Sequence, residues 1–312
     1  MTERQAMHAP RGAAGTGNAA HADSARPPIE GTAEDDILLG RSGGVAIDGL
    51  GGDDLVFGGT GRDTLSGGEG NDLVEGGSGA DLIYGDTAFG PFPEFAPPEP
   101  LGIGNLILAG SGADTVFAGF GEDTVFGGTG DDVITGAGAG APGGTPGDIF
   151  DRLDGADLLL GGSGRDLIEG NGGDDTILGG AGADTLSGGY GVDLLDGDTG
   201  ADVFVWRLLG RFQADPGTGV GEGERDVVRG FRPGEDRLDL GGLAIEPETD
   251  GTFLGTGAFT AQAGLQVRYD ILEDGRTVVQ FATGNGTTAP TAPRGEIELL
   301  GGHTLAATDF IL

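Results

Sequence analysis

The stretch Gly49-Leu50-Gly51-Gly52-Asp53-Asp54-Leu55-Val56-Phe57 is followed by Gly58-Gly59-Thr60-Gly61-Arg62-Asp63-Thr64-Leu65-Ser66, and the two read as one pattern. Gly opens each unit, Asp stands sixth and an apolar residue stands eighth. The next units begin at Gly67 and Gly76, with Asp72 before Val74 and Asp81 before Ile83. Further along, Asp114, Asp123 and Asp132 precede Val116, Val125 and Ile134 in the same phase. Asp148, Asp157, Asp166, Asp175, Asp184, Asp193 and Asp202 then follow at nine-residue steps, partnered by Phe150, Leu159, Ile168, Ile177, Leu186, Leu195 and Phe204. A first unit at Gly31 to Leu39 carries Asp36 and Leu38. Gly and Pro supply 70 and 15 of the 312 residues, a share that indicates disorder when it has no period. Two residue types held in fixed phase over this length indicate an internal repeat instead.

The nine positions predict a local structure. The Gly-rich half suits tight turns with positive φ, which Gly adopts cheaply. The half Asp-x-apolar-x is long enough for a very short strand. Two units make one coil with a strand on each side, and successive coils stack into two parallel sheets. The expectation is an all-β chain, a parallel β-roll (a right-handed β-helix of nonapeptide repeats) with the eighth-position residues stacked inside. One apolar side chain per unit does not offset the entropy of ordering nine residues, so a further stabilising term must act at the turns.

The turns offer hard oxygen ligands. Asp residues two units apart, such as Asp54 and Asp72 or Asp166 and Asp184, fall on the same edge of adjacent coils. Two carboxylates with backbone carbonyls approach the oxygen shell that Ca²⁺ prefers, whereas Mg²⁺ demands a stricter octahedron. Zn²⁺ would call for His or Cys, which the repeats lack. The expected metal ligands are Asp36, Asp54, Asp63, Asp72, Asp81, Asp114, Asp123, Asp132, Asp148, Asp157, Asp166, Asp175, Asp184, Asp193 and Asp202, holding several calcium ions. Val45 and Asn105 stand where Asp belongs, so ions at those positions are expected to be weak or missing.

The pattern Gly-Gly-x-Gly-x-Asp-x-apolar-x, running from Gly31 to Val205, resembles the calcium-binding nonapeptide of RTX (hemolysin-type) proteins. That resemblance implies a secreted protein that folds on calcium. Two interruptions are expected to leave the stack: a Pro-rich insertion at 87–104, which cannot complete a sheet ladder, and a Gly/Ala/Pro-rich one at 136–147. Residues 1–30 read as a disordered lead and 206–312 as a β-rich cap.

Within the cap region, Leu265 to Ile271 and Thr277 to Phe281 alternate as strands around Asp274-Gly275, and Glu296 to Leu300 reads as another strand. The segments Gly200-Ala201-Asp202-Val203-Phe204-Val205, Asp226 to Phe231, Gly234 to Leu240 and Asp309-Phe310-Ile311-Leu312 resemble the C-terminal part of serralysin-type metalloproteases. The resemblance implies that the tail is a type I secretion signal read by a transporter. This fits residues 1–28, which contain no apolar run of signal-peptide length.

The net charge of −35 argues against nucleic acid and anionic membrane surfaces as partners, because both would repel it. All 16 basic residues are Arg, and Cys is absent, which removes lysine and cysteine chemistry. Only His8, His21 and His303 occur, and no His-Glu-x-x-His, so the protease half of the serralysin family is missing. Gly40-Arg41-Ser42-Gly43-Gly44 matches a nucleophile elbow formally but falls on a repeat turn. No stretch is apolar over the length of a transmembrane helix. The expected function is therefore a non-enzymatic, extracellular calcium-binding protein, with a cell-surface or matrix partner open. A toxin- or bacteriocin-like effector and an accessory module of an extracellular enzyme are the alternatives.

Overall fold

The computed structural model describes residues 27–86, 104–137, 155–207, 218–243, 251–284 and 287–312. Consecutive nonapeptides alternate between two parallel sheets, so all repeat strands of one parity lie in one sheet and the rest in the other. The chain is all-β apart from one 3-10 turn at Ala307–Asp309, among the described residues. Pairing is in register from coil to coil: Ile177 lies against Leu195 and Leu159, and Leu186 against Ile168 and Phe204.

Most repeat strands obey the period-two rule, so the eighth position points inward while the seventh and ninth point out, with the buried Ser66 and Val205 as exceptions. Val56, Leu65, Val74, Ile83, Ile107, Val125, Ile168 and their equivalents are fully buried. The core is one side chain wide on each sheet, as the sequence predicts. Turning depends on the second and fourth positions. Gly59 and Gly61 have φ of +106° and +125°, and the same pair recurs at Gly77 and Gly79. The first position, Gly in most units and Ala109 and Ala118 in two, stays small for a different reason. A Cβ on Gly58 would lie 2.7 Å from the Gly76 carbonyl oxygen of the next coil and 2.7 Å from Asp63 Oδ2.

Coil pairing continues across both expected insertions. Strand Leu73–Ser78 pairs with Leu106–Ser111, and Thr124–Thr129 with Leu158–Ser163. Val133–Ala137 extends past the expected start of the second insertion at 136. From this strand, in one sheet, the described chain resumes with Leu158–Ser163 in the other. Asp148 lies outside the described residues, and no described half-coil stands between those of Asp132 and Asp157.

Coil stacking also continues beyond Val205. Asp226–Arg229 adds to Leu194–Thr199, and Arg237–Gly242 adds to Val203–Arg207. The end of the first sheet is then covered by Phe310–Ile311. The second sheet is extended by Gly295–Leu299, which pairs antiparallel with Thr277–Gly284, itself antiparallel to Gly264–Ile271. The hairpin turns at Asp274-Gly275, with Gly275 at φ +84°, and closes by a Leu272 N–H to Arg276 carbonyl bond of 2.8 Å. This end has a thicker interior than the coils: Trp206, Phe231, Leu240, Val267, Phe281 and Phe310 all join the core.

Candidate metal sites

The sixth-position residues form two columns, one along each edge of the roll. In the first, the backbone N–H of each member donates to Oδ1 of the member one coil on. The chain of donors runs Asp36 to Asp54, Asp54 to Asp72, Asp72 to Asn105 and Asn105 to Asp123, at 2.6–2.8 Å. It continues from Asp123 through Asp157, Asp175 and Asp193 to Asp226. The second column runs from Val45 through Asp63, Asp81, Asp114, Asp132, Asp166, Asp184 and Asp202 to Asp236. One oxygen of each carboxylate thus fixes coil-to-coil register, a role the repeat pattern alone does not reveal.

The other oxygen is different. Oδ2 of Asp54, Asp63, Asp72, Asp81, Asp114, Asp123, Asp132, Asp157, Asp166, Asp184 and Asp193 is buried and accepts no hydrogen bond. A buried carboxylate oxygen without a donor is costly, and so many in register are not an accident of packing. Most lie over a Gly at the start of a unit, where the next coil's carbonyl also points: at Gly127, Asp132 Oδ2 and the Gly161 carbonyl oxygen lie 2.8 and 2.6 Å from where a Cβ would be. The donor set is all oxygen, hard and anionic.

Burial acts on these groups as expected. It pushes Asp54, Asp114, Asp132 and Asp184 up to about 6, Asp72 and Asp123 to about 7 and Asp157 to about 8, with neighbouring carboxylates adding to the rise at most of them. Asp193 is also raised, by burial and by the charge of Asp226. The column bonds pull in the opposite direction without cancelling the effect.

The expected ligands Asp36, Asp54, Asp63, Asp72, Asp81, Asp114, Asp123, Asp132, Asp157, Asp166, Asp175, Asp184, Asp193 and Asp202 all occupy the columns. Asp36, at the open end, is half-exposed, and its Oδ2 is taken by the Thr32 backbone and hydroxyl. At Asn105 the amide does the work of a cation. Its Nδ2 donates to Asp86 Oδ1 at 3.1 Å and to the Ala118 carbonyl.

Two column members, Asp226 and Asp236, were not expected. They stand 33 and 34 residues after Asp193 and Asp202, too far for the nine-residue period. The surviving signal is the triplet Asp-x-apolar, in Asp226-Val227-Val228 and Asp236-Arg237-Leu238. Their second oxygens are satisfied internally. Asp226 Oδ2 accepts the Trp206 indole N–H at 2.6 Å, and Asp236 Oδ2 the Arg232 backbone N–H at 2.8 Å. The Arg232 guanidinium also reaches within 3.6 Å of Asp202 Oδ2.

Residues 30–65, 57–87, 104–138, 153–186 and 169–204 match the family model of the RTX calcium-binding nonapeptide repeat. No curated protein matches the chain. Among solved structures, the chain is similar to the AlgE6R3 subunit of the Azotobacter vinelandii mannuronan C5-epimerase, at 27% identity and a TM-score of 0.35 over 55% of this chain and 86% of that one. It is likewise similar to the AlgE6R2 subunit of that epimerase, at 27% identity and a TM-score of 0.33 over 51% and 88%. The segments that match the RTX calcium-binding nonapeptide repeat carry the column members from Asp36 to Asp202.

Proposed function

We propose that this chain is a non-enzymatic extracellular protein that binds calcium along both edges of its roll and folds when it does so. The observation that carries this reading is the series of buried, donor-less Asp Oδ2 atoms. Calcium would be held between carboxylates of successive coils, by pairs such as Asp54 with Asp72 and Asp166 with Asp184, assisted by backbone carbonyls at the turns. Bound cations supply the positive charge that the columns lack, so binding energy becomes folding energy. Without calcium the charge of −35 keeps the chain expanded.

Export through a type I transporter, directed by the Asp309–Leu312 segment, fits this logic, because an expanded chain can thread a channel. The resemblance of the segments from Gly200 onward to the C-terminal part of serralysin-type proteins supports it. The absence of catalysis is supported by placement: Ser42 sits in a turn bridged to Thr60, while His303, the histidine among the described residues, packs edge-on against Phe231 in the cap.

Circular dichroism during a calcium titration tests the proposal. The β signal should rise cooperatively in the range of extracellular calcium sites, with Kd on the order of 10⁻⁴–10⁻³ M, and Mg²⁺ should not replace Ca²⁺. An identical spectrum and Tm in excess chelator would overturn it.

A further inference from the structure

The two sheets differ on their outer faces. Eight strands of one sheet, from Ile37–Leu39 to Leu194–Thr199, present their seventh and ninth positions outward. Of those 16 positions, 12 are Leu, Ile or Phe and two are Thr. The same positions of the facing sheet, from Ala46–Asp48 to Val203–Arg207, hold six Ser or Thr. The apolar side chains are open to solvent: Leu55, Leu106, Leu158 and Phe126 are 37–39% exposed, and Ile37 and Leu39 are 60% exposed. A chain with this much charge has no need of an apolar band, and bands of this size on soluble proteins mark contact surfaces.

We propose that this face packs against the same face of a second copy of the chain. Eight strands spaced by about 4.8 Å, seven of them six residues long, give a flat area of roughly 700 Å² per copy, close to the ~800 Å² per partner of a standard stable interface. An extended peptide would cover only part of such a band. A second band of equal length and flatness covers all of it, as two sheets do when they pack face to face. Along one rim, Thr60, Ser78, Ser111, Thr129 and Ser163 stand in register and exposed, a polar border of the kind interfaces carry. Charge does not forbid the contact. Within these strands the carboxylates are Glu75 and, on the last strand, Asp196 and the rim residue Asp198, and Asp196 is paired with Arg229 at 2.7 Å. The column carboxylates point into the roll rather than across the face. Glu75 is then a single charge set within the band, which limits the affinity of the contact.

Sedimentation velocity of the full chain in millimolar calcium, with circular dichroism on the same samples, tests this. The chain should sediment as a dimer. Leu106→Glu with Leu158→Glu should weaken association by roughly tenfold or more while leaving the β signal intact, since Thr124 and Thr176 already place polar groups in that column. Val133→Glu with Leu167→Glu, on the opposite sheet, should remain dimeric, and Glu75→Leu should tighten the dimer. Should the acidic pair reduce the β signal, Phe126→Ser serves instead. A monomer whose β signal shows the roll formed would overturn the proposal, as would a dimer indifferent to the Leu106 and Leu158 changes. A folded monomer that binds phosphatidylcholine vesicles would overturn it in favour of a lipid surface. A dimer that forms equally in chelator would leave this proposal standing and sink the calcium-dependent folding.

Discussion

Asp184 and Asp236 occupy equivalent places in one column, yet the protein provides for them differently. Asp184 Oδ2 is buried with no donor, whereas Asp236 Oδ2 receives the Arg232 backbone N–H. The contrast extends to the whole molecule. Residues 31–205 contain 32 of the 51 acidic residues and four of the 16 Arg, whereas nine Arg lie from Arg207 onward. In the cap, Arg225 binds Glu296 and Glu298 at 2.9 and 3.2 Å, and Arg276 reaches Glu298 at 3.0 Å. The cap carries its own counter-charges and a thicker core; the repeats leave theirs to be supplied from solution. One end of the fold is therefore self-sufficient in its electrostatics and the other is not.

The largest way to break this contrast is with protons. Burial raises the folded pKa values of Asp54, Asp72 and Asp157 to about 6, 7 and 8 against an ordinary 3.8. The metal-free fold therefore keeps its full stability only below the unfolded value and loses it as pH rises through about 6 to 8. In chelator, the β signal at pH 5 should exceed that at pH 8, with precipitation setting a lower limit near the pI of about 4.1. A signal flat across that range would mean that the columns do not oppose folding. With calcium present the trend should reverse, because protons then compete with the ion.

A smaller effect comes from single column members. Asp166→Ala removes the acceptor for the Asp132 N–H and one carboxylate of a proposed calcium site. It should raise the calcium midpoint and cost about 1–3 kcal/mol for the stranded donor. Asp166→Asn keeps the acceptor and, as Asn105 does, brings its own donor. It should weaken calcium binding yet stabilise the metal-free chain, a pair of opposite shifts readable in titration and chelator melts. Loss of both would refute the amide-for-cation reading of Asn105.

The smallest effect is expected in the cap. Trp206→Phe preserves packing but strands Asp226 Oδ2, at a cost of about 1–3 kcal/mol set against the thicker core of that end. Its signature is that the loss in Tm should be equal in calcium and in chelator-treated acid samples. A loss seen only with calcium would place Asp226 among the metal-dependent members.

Much of this was legible in the residues. The fixed phase of Asp and its apolar companion placed Ile168, Leu186 and their kin in the core and the Asp residues in columns. What the phase could not show was Asp226 and Asp236, because stacking tolerates long excursions between coils while a period does not. Asp148 lies outside the described residues, and around it Asp123 and Asp132 bond across to Asp157 and Asp166. The division of labour between Oδ1 and Oδ2, and the clash that keeps the first Gly free of a side chain, depend on neighbouring coils and are invisible in one unit.

The Asp309–Leu312 segment has a consequence of its own. Phe310 is buried beside Phe253, and the Asp309 carboxylate is clasped by the Gly234 and Ala306 N–H groups. Anything that recognises these last side chains must reach them while the polypeptide is still open. If this segment is the export signal proposed above, seating the final strand would hide Asp309 and Phe310 and leave only Ile311 and Leu312 partly open, so a folded molecule would present an incomplete signal.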